Sequence, residues 1–171
     1  MKPSRRDVIA GIAAATPLAT ILADPALVRA AAAQLEEVSL TTIGGRPATA
    51  ALASPATKPA PSLLLIHEWW GLNDQIKAVA AECAKQGYTA LAVDLYQGRV
   101  ASNPEDAKQL MQSLEPAAAT DTLVSWVDWL RERPEATGAV GTMLGGDGPN
   151  LLVCNEAGRM FLLPRKSLLG W

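Results

Sequence analysis

At 171 residues the chain has room for one domain, and an apolar share of 49% is enough for a globular core, which excludes a disordered chain. The net charge is −2 with no basic stripe, which argues against nucleic acid as a partner. Two cysteines, Cys83 and Cys154, are too few for a disulfide framework, and with His67 as the single histidine no pair has metal-ligand spacing.

The chain opens Met1-Lys2-Pro3-Ser4-Arg5-Arg6-Asp7, a twin-arginine pair ahead of an alanine-rich apolar run to Ala23. This is the pattern of an export leader. A stable membrane span is the competing reading, but the run is shorter than the roughly 20 apolar residues a span requires, and Pro17 interrupts it. Ala30-Ala31-Ala32-Ala33 offers Ala-x-Ala cleavage sites, so residues 1–33 are expected to be removed and the mature chain to start near Gln34. The leader holds Lys2, Arg5, Arg6 and Arg29 against Asp7 and Asp24, which leaves 11 basic and 15 acidic residues in the mature part. The expected partner is the twin-arginine export machinery, and the expected location is exported, periplasmic or secreted.

Val38-Ser39-Leu40-Thr41-Thr42 alternates, Gly44-Gly45 tolerates positive φ, and residues 48–52 follow, which predicts a β-hairpin. Residues 54–61 hold three prolines and no apolar period, as in a surface connection. Leu63-Leu64-Leu65-Ile66 is a continuous apolar run, expected of a parallel strand covered on both faces.

From Asn73 the residues Ile76, Val79, Ala80, Cys83 and Ala84 draw one helical stripe, with Asn73 as cap and Gly87 as terminator. That stripe makes Cys83 a small core residue. Leu91-Ala92-Val93 is the next strand. Asn103-Pro104-Glu105-Asp106 starts a helix, with acids at the positive end of its dipole. A further helix carries Leu123, Trp126, Val127 and Leu130 on one face and stops at Pro134, which makes Trp126 and Trp129 packing residues. Gly138-Ala139-Val140-Gly141-Thr142 is the last expected strand. The order of hairpin, strand, helix, strand, helices and strand is α/β with a mostly parallel sheet.

In such sheets ligands bind at the carboxyl ends of parallel strands. Three segments lie there: His67-Glu68-Trp69-Trp70-Gly71-Leu72-Asn73, then Asp94-Leu95-Tyr96-Gln97-Gly98-Arg99, then Gly141-Thr142-Met143-Leu144-Gly145-Gly146. A turn with a carboxylate and two aromatics is costly to expose unless it lines a pocket.

In this order the three segments resemble the dienelactone hydrolase (carboxymethylenebutenolidase) family of α/β-hydrolases over roughly residues 34–146. Its members carry a His/Gln-Glu-x-x-Gly turn, an Asp-Leu-Tyr segment about 25 residues later, and a nucleophile elbow written Gly-x-Cys-x-Gly-Gly. The resemblance implies the α/β-hydrolase fold and hydrolysis of a small-molecule ester or lactone without a cofactor. It implies that Glu68 interacts with the nucleophilic thiol and that the backbone N–H of Trp69 forms half of an oxyanion hole. It places Arg99, with Trp70, on the substrate side. Arg99 as a solvated surface residue is the alternative, because its offset from Asp-Leu-Tyr can differ by one position.

The elbow departs from the pattern. Met143 stands where the cysteine belongs, and a thioether has no proton to lose and cannot form an acyl intermediate. An alternative alignment keeps Val140-Gly141-Thr142-Met143 as strand, with the nucleophile deleted before Leu144. The family's triad Asp and His follow on later loops, whereas 25 residues follow Gly146 here. His67 is expected to be a local hydrogen-bonding residue, not a base. Asp147-Gly148-Pro149-Asn150 disfavours the helix that should follow the elbow, and residues 147–171 carry no resemblance to the family. These features lead us to expect three segments: a leader at 1–33, a partial hydrolase domain at 34–146 truncated after the elbow, and a tail at 147–171 unrelated to the family, as a shift of reading frame near codon 147 would produce. An inactive chain follows, or a non-catalytic exported fragment or small-molecule binding module. Stopping the sheet here is expected to leave residues 139–142 as a bare edge and the 63–66 strand and the Trp126 helix partly uncovered.

The leader reading is tested by changing Arg5 and Arg6 together to lysine. Export is expected to stop, as followed by fractionation and immunoblot, and unchanged export would show that the pair is ordinary leader charge.

Overall fold

A computed structural model describes residues 18–143, 150–154 and 160–164, the strands beyond residue 135 by their backbone. The twin-arginine pair, Leu144, Gly145, Gly146, Asp147, Gly148, Pro149 and the carboxyl-terminal Leu169-Gly170-Trp171 lie outside the described residues.

Five strands form one sheet in the order β1-β2-β4-β3-β5. They are β1 (Glu36–Thr41), β2 (Pro47–Ala53), β3 (Ala60–Ile66), β4 (Thr89–Val93) and β5 (Ala136–Met143). The predicted hairpin is β1 and β2, and β2 continues antiparallel onto β4. Parallel pairing is confined to β4, β3 and β5. The sheet is thus mixed, because the hairpin joins it edge-on and does not stand apart.

The tip of the hairpin is fastened to the helix α5 (Pro116–Arg131), which follows α4 (Pro104–Ser113). Gly44 N–H donates to Asp121 Oδ1 at 3.0 Å, Arg46 Nη2 donates to Asp121 Oδ2 at 3.0 Å, and Ile43 N–H donates to Ser125 Oγ at 3.0 Å. A Cβ at Gly44 would stand 2.8 Å from Asp121 Oδ2, so glycine is what lets the turn reach the carboxylate.

Alternation along the strands divides the core between two faces. Leu64, Ile66, Leu91 and Val93 point to one face with Ala48, Ala50 and Leu52, and Trp126 and Leu130 of α5 cover them. Leu63, Leu65, Ala90 and Ala92 point to the other with Ala51 and Ala53, beneath Ile76, Ala80 and Ala84 of α3 (Asp74–Lys85). Asn73 caps α3 through Oδ1, which accepts from Ile76 N–H at 3.1 Å. Cys83 is half-buried against this second cluster, and burial pushes its thiol up to about 11.

Two helices precede the sheet, α1 (Leu18–Ala23) and α2 (Pro25–Ala32). Asp24 caps α2, with Pro25 at the first helical position. Val28 and Ala31 pack against Ala78 and Ala81 on the outer face of α3. In the uncleaved chain, then, the end of the expected leader covers part of the domain. No helix among the described residues is long and apolar enough to cross a membrane.

The expected gaps in the core are not present. Leu63 to Ile66 are all buried, and Trp126 is fully enclosed where α5 packs on the sheet beside Leu64, Ile66, Leu91 and Val93. β5 does end the five-stranded ladder, but β6 (Asn150–Cys154) lies against it and pairs antiparallel with β7 (Met160–Pro164). This hairpin falls within the segment 147–171 that the sequence marked as unrelated to the family.

Leu91 is completely buried at the centre of the sheet, whereas Ile43 is 73% exposed at the hairpin tip. Leu91→Ala is expected to cost about 2–5 kcal/mol in urea denaturation and Ile43→Ala about 0.5 kcal/mol or less. Equal effects would show that the sheet has no packed centre.

Candidate active site

The first two segments singled out in the sequence follow β3 and β4, and the third begins inside β5. Register sets the three strand ends in a row, since Ile66 pairs with both Val93 and Met143. His67 and Asp94 are therefore the first residues past neighbouring strand ends.

The turn after β3 is built around the carbonyl of Glu68. It accepts from Gly71 N–H at 3.1 Å and lies 2.6 Å from His67 Nδ1. Gly71 adopts φ +93, and a Cβ there would meet the carbonyl oxygen of Arg99 at 2.4 Å. Only glycine allows the two loops to approach this closely. Ala101 N–H donates to Trp70 O at 2.9 Å and joins the loops a second time. Glu68, Trp69 and Trp70 are half-buried, with the two indoles edge to face at 5.2 Å. Neither the Glu68 carboxylate nor the Trp69 N–H has a hydrogen bond among the described residues.

The loop after β4 is folded by Asp94. Its Oδ1 accepts from Tyr96 N–H at 2.8 Å, its Oδ2 accepts from Gly98 N–H, and its own N–H donates to Thr49 O at 3.1 Å. Gln97 and Gly98 both have positive φ, which closes the loop tightly. Reading the sequence marked Asp94 only as a strand end, although a short carboxylate followed by glycine is the signature of a side chain that caps its own turn. Arg99 is exposed, and its Nε donates to Tyr96 O at 3.2 Å. The guanidinium is thus anchored at one nitrogen on the loop's own backbone.

His67 is buried between the two loops, its ring 4.5 Å from that of Tyr96. Leu95 N–H donates to His67 Nε2 at 3.1 Å. Burial lowers its pKa below 6.5, against the opposing influence of the Glu68 backbone and the Asp94 charge. With both nitrogens engaged, the ring is a hydrogen-bonding residue, as the sequence led us to expect.

Met143 is the last residue of β5 and still a ladder residue, opposite Ile66. The rest of the elbow motif lies outside the described residues. Among the described residues no cluster of histidine, cysteine and carboxylate side chains could hold a metal ion. A groove of about 680 Å³ opens at the carboxyl end of β4, lined by Asp94, Leu95, Gly98, Lys77 and Arg46 among others. Glu68, Trp69, Trp70 and Arg99 are not part of its lining.

Gly71→Ala is expected to cost about 1–3 kcal/mol, because the new methyl group must displace backbone and adopt positive φ. Urea denaturation followed by tryptophan emission measures this. A variant as stable as the parent would show that the two loops do not touch.

The chain matches the Dienelactone hydrolase family over residues 48–152, from β2 into β6. It is 35% identical over 96 residues to Protein usf of Aquifex pyrophilus, which covers 50% of this chain and 42% of that protein. It is 29% identical over 123 residues to a carboxymethylenebutenolidase of Pseudomonas putida, 65% of this chain and 52% of that enzyme. Among solved structures, m3DLH superposes with a TM-score of 0.52 at 25% identity, over 66% of this chain and 51% of that one. The chain spans about half the length of these curated relatives or less. The fold is that of the α/β-hydrolases, and the chain belongs to the dienelactone hydrolase family.

Proposed function

We propose that the loops after β3 and β4 form the first half of an active site for hydrolysis of a lactone or small carboxylic ester. The observation that carries this reading is the turn at the end of β3. It presents an unpaired carboxylate, Glu68, beside an unpaired backbone donor, Trp69 N–H, two and three residues past Ile66, the strand end that pairs with Met143.

The reaction would run through attack of a thiolate on the ester carbonyl, with the developing oxyanion held by backbone N–H groups, Trp69 among them, and water then releasing the acid. Glu68 would set the ionisation of the thiol, and Trp70 and Arg99 would contact the substrate. No step calls for a cofactor. With Met143 at the nucleophile position, the 171-residue chain lacks the attacking group and is inactive. The alternative alignment, which keeps Val140 to Met143 as strand with the nucleophile deleted before Leu144, also leaves the site without an attacking group.

The missing thiol beside an intact aromatic turn favours a second reading, a non-catalytic module that binds an ester or lactone at Trp69 and Trp70. In both readings residues 1–33 act as a twin-arginine leader that directs the product to the periplasm or outside the cell, and residues 34–146 are the functional unit.

Purified protein is expected to hydrolyse neither p-nitrophenyl acetate nor a dienelactone above background. Turnover that Glu68→Ala abolishes would overturn this and reveal a different nucleophile. Quenching of tryptophan emission by a dienelactone that remains intact, lost in Trp70→Phe, would support the binding reading.

A further inference from the structure

His67 lies between two groups of fixed character. The Glu68 carbonyl, 2.6 Å from Nδ1, can only accept a hydrogen bond. The Leu95 N–H, 3.1 Å from Nε2, can only donate one. The ring must therefore carry its proton on Nδ1 and a lone pair on Nε2, and only the neutral form satisfies both partners. The site is built for that form, because His67 is buried and Tyr96 packs on its ring. The Asp94 carboxylate of the β4 loop is the charged group facing it, and is itself occupied by the Tyr96 and Gly98 amides.

The bond from Nδ1 has a second consequence. The carbonyl it fixes belongs to the same planar peptide unit as the N–H of Trp69, and in a trans peptide the two point in opposite directions. Two donors, His67 Nδ1–H and Gly71 N–H, hold the oxygen of that unit. The direction of the Trp69 N–H is thereby set, and that N–H is left without a partner among the described residues.

We propose that His67 is a positioning residue. As a neutral Nδ1–H imidazole it locks the Glu68–Trp69 peptide plane and ties it to the loop after β4, so that the Trp69 N–H is aimed at a substrate oxyanion. The assignment rests on the reading of this turn as the ester site. It differs from the role of a catalytic base, because neither ring nitrogen is free to take a proton from a nucleophile.

His67 is the only histidine, so a tag-free full chain labelled with 15N-histidine gives one imidazole spin system. The expected spectrum is that of a single Nδ1–H tautomer that stays neutral as pH falls below the ordinary histidine value of 6.5. An Nε2–H tautomer, or an ordinary titration, would overturn the proposal without the need for any variant.

Two substitutions divide the ring's functions. Asn can replace the Nδ1 donor, and Gln can replace the Nε2 acceptor. His67→Asn should keep the Trp69 amide shift of the parent, while exchange of the Leu95 amide rises about tenfold for loss of one hydrogen bond. His67→Gln should keep Leu95 protected and move the Trp69 amide. Both amides unmoved in both variants would show that His67 is merely a packed ring. These readouts need no turnover, so an inactive chain tests the lock, whereas failure of a dienelactone to shift the Trp69 amide counts against the ester site alone.

Discussion

Burial of β3 and β4 on both faces is the constraint on which the rest of the molecule depends. Leu65, Leu91 and Val93 lie at the centre of the sheet with helices above and below, and every residue of β4 and of β3 from Ser62 to Ile66 is buried. A strand in that position can satisfy its backbone only through neighbouring strands, and it cannot display a polar side chain toward a substrate. Chemistry is therefore confined to the strand ends. The carboxyl ends of β3 and β4 are where Glu68, Trp69 and Asp94 are found.

The two faces meet this constraint differently. Under α3 the sheet presents Ala51, Ala53, Ala90 and Ala92, and the helix answers with Ala80 and Ala84. Small residues on both sides let helix and sheet approach closely, so contact comes from proximity more than from side-chain volume. Under α5 the layer is filled by Leu64, Leu91, Leu130 and the whole of Trp126. Trp129 sits at the outer margin of this layer, edge to face with Trp126 and beneath the guanidinium of Arg133 at 4.3 Å. The hairpin tip is then fixed to α5 by Asp121, whose carboxyl is held below the usual range by Thr42, Arg46 and Gly44. The antiparallel entry of the chain is thus tied to the helix that closes the core.

At the strand ends the loops support one another, because neither has regular structure of its own. Asp94 folds one loop through its backbone amides, the Glu68 carbonyl organises the other, and His67 and Gly71 join them. Each contact uses a backbone group that would otherwise be buried without a partner. The result leaves two groups without a hydrogen-bond partner among the described residues, the Glu68 carboxylate and the Trp69 N–H. Met143 closes the neighbouring strand in register with Ile66, so the ends of β3, β4 and β5 stand side by side.

Sequence alone determined whatever depends on local pattern. The continuous run Leu63 to Ile66, the stripe from Ile76 to Ala84 and the capped start at Asn103 each specify an element through periodicity and end chemistry, and all three formed. The turn that holds Glu68 at the end of β3 was also legible, because a short motif after an apolar run carries its position in the order of its residues. Tertiary structure decided what depends on contacts between distant segments. It joined the hairpin to β4, laid α2 over Ala78 and Ala81, and buried Trp126 of α5 against the sheet, where the sequence had suggested an uncovered face. It also gave His67 its partner on the other loop, Leu95, 28 residues away. The physical reason is that an imidazole's tautomer and a carboxylate's partners are set by whichever groups packing brings within about 3 Å, and no local pattern encodes that distance.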